Sequence, residues 1–263
     1  SGFGSFIYDI SGPNVGFVID GLDSLDVDWT NSVTNVSANW SGFFDQTLGI
    51  AEYEIAFGSN VGNDNIITWT GVGLDTFYSF QDIELIHGFE YFFNVRAKDM
   101  VGNMSDAASS DGITIDVEPP ILSYVYEADN ENPIYFGVDS LISVFWRSND
   151  DLSGIKLIEH SFGSSPEDTD LVSWQSSLTI DSVAVLSNLS LSDGVTYYAS
   201  VMAMDSAGNS TILSGDGVTI DISSPDVGWV YDVNSLNQDT SQVFTPSLSA
   251  LSSLWSGFSD SIS

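Results

Sequence analysis

Short runs of alternating apolar and polar residues follow one another along this chain, separated by turn-forming Gly, Asn and Asp. Val36, Ala38 and Trp40 occupy every second position of one run, and residues 91–97 repeat the pattern with Tyr, Phe, Val and Ala. This period of two is typical of a half-buried β-strand. We also expect strands over residues 77–85 and 183–191, whereas signals for helices are nearly missing. Short strands divided by turns predict an all-β sandwich or barrel.

The pattern is repeated after one domain length. Residues 49–59 return as 154–164, a shift of 105 positions, and residues 111–116 return as 216–221. A period of this length is the size of a compact domain with its own core. We therefore expect tandem domains and not the turns of a solenoid.

The repeat also sets the expected domain boundaries. Residues 6–13 match 219–225, at the end of a repeat, and residues 254–260 restate 39–45, near its beginning. A fragment of two strands cannot bury a sheet face by itself, so we expect the natural polypeptide to continue on both sides. The predicted segments are residues 1–11 (last strand and linker of a preceding repeat), 12–117 and 118–222 (whole repeats of about seven strands each), and 223–263 (opening strands of a further, truncated repeat).

Composition adds an extreme charge to this picture. The chain has 37 acidic and four basic residues, which gives a formal net charge of −33. Nucleic acid and anionic lipid are excluded as partners, because phosphate binding requires Lys and Arg. Such a surface stays soluble and attracts cations. The sequence has no cysteine for disulfide, thiol or zinc chemistry, and no apolar run long enough to insert into a membrane.

The inward spacing resembles that of the fibronectin type III family. The residues that carry this resemblance are Trp40, Ile50, Tyr53, Ile55 and Phe57, then Leu85, Gly88 and Tyr91, with Leu191, Gly194 and Tyr197 repeating the last three. The resemblance covers essentially the whole chain. It implies tandem immunoglobulin-like sandwiches in which the leucine and the tyrosine form a corner.

Three phrases resemble a bacterial version of this family more closely. They are Trp-Ser-Gly-Phe-x-Asp from Trp40, Ala-Lys-Asp-Met-Val-Gly-Asn from Ala97, and Ser-Asp-Gly-Ile-Thr-Ile-Asp from Ser110. Such versions occur in tandem in large surface adhesins and gliding-motility proteins of Bacteroidota-type bacteria. The resemblance implies export by a type IX secretion route and a place outside the cell or on its surface.

Acidic residues recur at the ends of the repeats and suggest a metal site. Loops that follow the Trp strand and precede Gly-Asn cluster at one end of an immunoglobulin-like sandwich, where the linker also enters. Carboxylates and carbonyls gathered there are the oxygen ligands that Ca²⁺ prefers. Asx-turns explain the same residues without an ion. The candidate inter-repeat calcium ligands are Asp9, Asp45, Asp99, Asp116, Glu118, Asp150, Asp151, Asp205, Asp221 and Asp260.

The residues that could act as catalytic acids, bases or nucleophiles do not form a recognisable active-site pattern. His87 and His160 stand at non-equivalent places in the repeats, and we interpret them as ordinary surface or strand-edge histidines. Glu52 and Glu54 flank one another on a strand and do not face across a cleft as a glycosidase pair does. Phe92 and Tyr198, opposite the inward set, are either a carbohydrate-binding stripe or filler beside a neighbouring loop. We predict no catalytic residues and no enzyme activity in this chain.

The expected function is therefore structural. The leading hypothesis is a stalk or adhesive filament in a long, repetitive extracellular protein, acting in adhesion or gliding motility. Its partners would be the neighbouring repeats, surface glycans or other surface proteins, and the secretion machinery during export. The alternatives are spacer repeats in a secreted polysaccharide-degrading enzyme and a trimeric phage or virus fibre.

Overall fold

The computed structural model describes residues 8–128, 133–178, 182–233 and 252–262, which form β-strands joined by turns. Within these ranges, no helix could cross a bilayer. The first strands are β1 (Phe17–Asp20), β2 (Trp29–Thr30), β3 (Val36–Ser41), β4 (Ile50–Gly58), β5 (Ile67–Gly71), β6 (Phe77–Phe80), β7 (Glu90–Asp99), β8 (Ala108–Ser109) and β9 (Ile113–Ile115). Those that follow are β10 (Ile121–Ala128), β11 (Tyr135–Phe136), β12 (Leu141–Asn149), β13 (Ile155–Gly163), β14 (Val172–Ser177), β15 (Val183–Ser187), β16 (Thr196–Asp205), β17 (Ser210–Ser214), β18 (Val218–Ile220), β19 (Trp229–Val233) and β20 (Ser252–Ser256).

Two sheets form the first sandwich. One has the order β1-β3-β6, and the other has the order β2-β9-β7-β4-β5 with β8 also paired to β7. Strand β2 runs parallel to β9, whereas β1 runs antiparallel to β3. The chain thus leaves one sheet after β1 and joins the other at β2. The nine segments correspond to seven strands if β1 and β2 are counted as one interrupted strand and β8 and β9 as another. Seven is the number that the sequence pattern predicts.

Aromatic side chains fill the space between these sheets. Trp40 is almost completely buried, and Phe57 and Phe93 are fully buried. The ring of Phe80, from the first sheet, lies 6.0 Å from the ring of Phe57 and 5.9 Å from that of Phe93. The alternating positions from Val36 to Trp40 point inward as the sequence predicts, because successive strand residues face opposite sides.

The second repeat has the same topology. Its sheets have the orders β10-β12-β15 and β11-β18-β16-β13-β14, with β17 on β16, and β11 is again parallel to β18. Ile142, Val144, Trp146, Ile158 and Phe162 are fully buried. Further along, β19 and β20 pair antiparallel. The fold class predicted from the sequence, all-β with tandem sandwiches, is therefore confirmed.

Two predicted strands are shorter in the structure. The strand expected over 77–85 ends at Phe80, and the one expected over 183–191 ends at Ser187. Asp82 and Asn188 have φ values of 56° and 59°, in the left-handed region, which ends an extended strand. The prediction that residues 1–11 include a last strand lies mostly outside the described residues, while the domain boundaries stay a prediction.

A tyrosine closes each sandwich at its corner, as the family resemblance implies. The hydroxyl of Tyr91 accepts a hydrogen bond from the Ile86 amide at 3.1 Å, and that of Tyr197 accepts one from the Ser192 amide at 3.0 Å. Replacing Tyr91 with phenylalanine leaves the Ile86 amide without its partner, which costs about 1–2 kcal/mol. We expect this loss in the free energy of unfolding of the first repeat, measured in urea.

Tyr78→Phe is the matched control, because the Tyr78 hydroxyl makes no hydrogen bond with the described residues. We expect it to change the urea midpoint little. Equal effects of the two substitutions would contradict a specific role for the Tyr91 corner.

Candidate metal centre

Three aspartates from separate elements meet where the chain enters the first sandwich. Asp9 comes from the incoming linker, Asp45 from the loop after β3, and Asp99 from the end of β7. One carboxylate oxygen of each lies within 4.8 Å of the other two. Asp45 and Asp99 are buried, and Asp9 is half-buried.

The same elements bring three aspartates together at the next junction. Asp116 belongs to the linker after β9, Asp150 to the loop after β12, and Asp205 to the end of β16. Their oxygens also lie within 4.8 Å of one another. These residues fall in one compact unit, which comprises Ser1–Ile121, Ser148–Leu157 and Ala203–Thr211.

Backbone amides hold the aspartate at the end of each long strand. Oδ1 of Asp99 accepts hydrogen bonds from the amides of Val101, Gly102 and Asn103 at 2.7–2.9 Å. Burial opposes ionisation of Asp99, but these amides and the Asn103 side chain outweigh it and lower the pKa of the carboxyl. Gly102 has a φ of 97°, a conformation that favours glycine in this turn. Asp99 is therefore an anion at neutral pH.

An asparagine joins each of these aspartates to the linker. Nδ2 of Asn103 donates to Oδ2 of Asp99 at 2.8 Å and to the carbonyls of Asp9 and Ser11 at 3.3 and 3.2 Å. Nδ2 of Asn209 repeats these contacts with Oδ2 of Asp205 and with the carbonyls of Asp116 and Glu118, at 2.7, 2.9 and 3.4 Å. The linker is thus attached to the loop that it meets in the same way at both junctions.

The hydrogen bonds of the turns use only one of the two carboxylate oxygens of Asp45 and of Asp150. Oδ1 of Asp45 accepts the amides of Thr47, Leu48 and Gly49, as an Asx-turn requires, and Oδ1 of Asp150 accepts the amides of Leu152 and Gly154. Their second oxygens accept no hydrogen bond from the described residues. Oδ2 of Asp9 is a buried atom that likewise has no partner. Each cluster therefore keeps carboxylate oxygens that could bind a cation.

A small cavity adjoins the second cluster. It encloses about 50 Å³ and is lined by four acidic residues, by Asn149 and by apolar neighbours; the acidic residues are Asp116, Glu118, Asp150 and Asp151. This volume suits an ion with a few waters and is far below the 300 Å³ or more of typical small-molecule sites. The arrangement favours a hard cation over an organic substrate.

Four predicted ligands lie outside the two clusters. Asp151 accepts a hydrogen bond from the Asn149 side chain, and the Glu118 carboxylate lies 3.9 Å from His87. Asp221 accepts a hydrogen bond from the Ser223 hydroxyl, and Asp260 accepts one from the Ile262 amide. Within the residues that the structure describes, none of these four belongs to a three-carboxylate group.

Both histidines have roles that the sequence interpretation missed. Nδ1 of His87 accepts the Val117 amide at 3.2 Å, and Asp193, its counterpart in the second repeat, accepts the Ile222 amide at 2.8 Å. These side chains hold the linker as it leaves each sandwich. His160 is buried and not at the surface: its Nδ1 lies 2.9 Å from the Ser177 hydroxyl and its ring stacks on Trp146. Burial lowers the pKa of His160 and favours the neutral ring.

The glutamates of β4 have basic partners on the neighbouring strand. Glu54 forms an ion pair with Arg96 at 2.5 Å, and Glu52 lies 3.5 Å from Lys98. The Arg96 guanidinium also lies 4.1 Å above the centre of the Trp69 ring. These contacts give both carboxylates a structural role on the sheet surface.

The two aromatics opposite the inward set lie over glycines. A Cβ placed on Gly112 would be 2.8 Å from the ring of Phe92, and one on Gly217 would be 2.6 Å from that of Tyr198. Both rings are half-buried. This geometry favours the filler interpretation over a carbohydrate-binding stripe.

No family model and no curated protein sequence matches the chain. Solved structures do resemble it. The FN1–FN3 domains of chicken CNTN1 share 17% identity over 78% of this chain and 68% of theirs, with a TM-score of 0.44. Titin module A71 from human cardiac muscle shares 20% identity over 41% of this chain and 95% of its own, with a TM-score of 0.29. The twitchin kinase region from C. elegans shares 16% identity over 41% of this chain and 17% of its own, with a TM-score of 0.30.

Each repeat is an all-β sandwich with the sheet orders given above. At these identities and TM-scores the solved structures carry no argument about the function of this chain. Any function must therefore be argued from the chain's own junctions and surface.

Proposed function

We propose that this chain is a non-enzymatic stretch of stalk in a long extracellular protein. The observation that carries the proposal is the attachment of each linker by Asn103 or Asn209 to the loop that it meets. A repeat whose entering linker is held by side-chain hydrogen bonds resists bending at that point. Stiff tandem repeats extend a binding tip away from a surface, as adhesion or gliding motility requires.

We propose further that calcium completes both junctions. Each cluster places three carboxylates within 4.8 Å, and this concentrates negative charge in a chain of net charge −33. The described ion pairs of Arg96 and Lys98 are with Glu54 and Glu52, so these bases do not neutralise the clusters. Calcium accepts six to eight oxygen ligands in flexible geometry, which carboxylates, carbonyls and water can supply.

Asn209→Ala tests how firmly the linker is held. Loss of its hydrogen bonds to the carbonyls of Asp116 and Glu118 should cost roughly 1.4 kcal/mol, which corresponds to about tenfold faster opening. We expect hydrogen exchange of the Val117 and Glu118 amides to accelerate by this factor. Asn60→Ala, at an exposed turn, is the control and should leave that exchange unchanged. Unchanged exchange in Asn209→Ala would show that the asparagine does not hold the linker.

The extracellular location needs a test on the source cells. Antibodies raised against this chain should label intact cells or the material that they release. Labelling that appears only after the cells are permeabilised would exclude a surface stalk.

A further inference from the structure

A third group of carboxylates lies within the first repeat, at the edge of its sandwich and away from the linker. Asp20, at the end of β1, lies with Asp26 and Asp111, and one oxygen of each is within 4.8 Å of the others. Asp26 belongs to the segment by which the chain crosses from one sheet to the other, and Asp111 belongs to the turn before β9. The sequence pattern did not point to these residues, although Asp20 follows Val18 at an inward spacing.

Asp20 is an unusual residue for its position. Its side chain is fully buried, and Oδ2 accepts the Gly112 amide at 3.2 Å, while Oδ1 is buried and accepts no hydrogen bond. An unpaired carboxylate oxygen in the interior costs free energy unless a proton or a cation satisfies it. The unpartnered Oδ1 of Asp20 is therefore available to a proton or to a cation.

The surroundings of Asp20 are acidic and held in place. Oδ1 of Asp26 accepts the Asp20 amide at 2.9 Å. Nδ2 of Asn39 donates to the carbonyls of Gly21 and Asp23 at 3.0 and 2.8 Å, which ties the crossing segment to β3. Asp26 and Asp111 are exposed, so water can complete a coordination shell on that side. A buried oxygen, two exposed carboxylates and access for water suit Ca²⁺.

The second repeat has a buried acid at the corresponding place. Glu127, near the end of β10, is fully buried; Oε1 accepts the Ala199 amide at 2.8 Å, and Oε2 has no partner. The longer side chain is matched by a smaller neighbour, since Gly215 stands where the first repeat has Ser110. A Cβ on Gly215 would overlap the Glu127 carboxylate. Both sandwiches thus contain a buried carboxylate with one unpaired oxygen.

We infer that Asp20, Asp26 and Asp111 form a calcium site within the first repeat, separate from the junction clusters. The buried oxygen of Asp20 is the inner ligand, and the two exposed carboxylates bind the ion from the solvent side. The ion replaces the proton that the Asp20 carboxyl otherwise needs. It also ties the crossing segment to the turn before β9, which joins the two sheets at their edge.

Calcium titration by calorimetry tests this site in a background whose junction clusters are each weakened by the loss of one carboxylate. The background is Asp45→Asn with Asp150→Asn, in which asparagine Oδ1 can still accept the turn amides. Adding Asp26→Asn and Asp111→Asn should remove one equivalent of bound calcium or raise its Kd at least tenfold. Adding Asp75→Asn and Asp106→Asn, which removes two exposed acids elsewhere, should leave that binding unchanged. Equal binding in all three proteins, or none in the background, would overturn the inference.

Manganese(II) locates the ion independently. In the junction-weakened background, its paramagnetism should broaden the amide signals of Gly21 and Gly112. The proposed site would be contradicted if these two signals were not broadened. It would also be contradicted if they were broadened equally after Asp26→Asn and Asp111→Asn are added. Asp20→Asn adds a second readout, because it should weaken calcium binding at least tenfold while it stabilises the calcium-free protein.

Discussion

Replacing Asp20 with asparagine and Glu127 with glutamine is expected to stabilise the calcium-free protein at pH 8. Burial raises the pKa of each carboxyl to about 7, against ordinary values of 3.8 and 4.5. Hydrogen bonds to Asp20 from Ser110 and Gly112 oppose this effect, while the charges of Asp26 and Asp111 add to it. A shift of this size corresponds to roughly 3–4 kcal/mol per group at a pH above both values. The neutral amides avoid that cost.

The direction of the pH dependence follows from these raised pKa values. Between about pH 4 and pH 7 the folded protein binds protons at Asp20 and Glu127 that the unfolded chain has released. The wild-type free energy of unfolding should therefore fall as the pH rises through this window. Below about pH 4 both states are protonated at these residues, and the contribution of the neutral carboxyls is fully present.

Urea unfolding at a series of pH values measures this effect. We expect the double variant to lose most of the decline between pH 4 and pH 7, and each single variant to act on its own repeat. The other acids also repel one another less as they are protonated, so Asp75→Asn with Asp106→Asn serves as the control for charge. A decline as steep in the double variant as in the wild type would show that these carboxyls are not its source.

The fold was predictable because its determinants are local and periodic. The alternation from Val36 to Trp40 identifies a strand and its inward face. The return of residues 49–59 as 154–164 indicates that the two repeats have the same type of fold. Strand ends were less predictable. Ile83 and Leu85 continue the apolar pattern of β6, but their amides bond to the carbonyls of Thr34 and Val33 and cover the end of the sandwich.

The sequence could predict only those junction residues whose positions follow from the topology of the sandwich. Recurrence in both repeats pointed to Asp45 and Asp150, because loops at one end of a sandwich converge. Recurrence failed for Asp20 and Glu127, since the two repeats use acids of different length. Their equivalence depends on the space that Gly215 leaves for the longer side chain, which is a property of packing and not of spacing.

Removal of calcium is expected to lower the melting temperature of the wild-type protein by roughly 10–20 °C. If the junction clusters bind with a Kd on the order of 10⁻⁴ M, then 10 mM calcium is roughly 100 times that value. Binding to the folded state alone would then contribute about 2.7 kcal/mol per site. For repeats of this length, about 1 kcal/mol changes the midpoint by roughly 4–8 °C. Calorimetric melting in 10 mM calcium and in excess EDTA measures the difference.

The Asp45→Asn, Asp150→Asn protein separates the junctions from the rest of the acidic surface. Asparagine retains the turn hydrogen bonds to Gly49 and Gly154 but removes one negative charge from each cluster. We expect this variant to lose the part of the calcium-dependent rise that the two junctions supply and to keep the part supplied by the Asp20 site, whereas Asp75→Asn with Asp106→Asn should keep the whole rise. If calcium acted only by screening the net charge of −33, the two variants would respond alike, and magnesium at equal concentration would have the same effect. A response that falls in the junction variant but not in its charge-matched control would instead mean that calcium stabilises the junctions on which the proposed stalk depends.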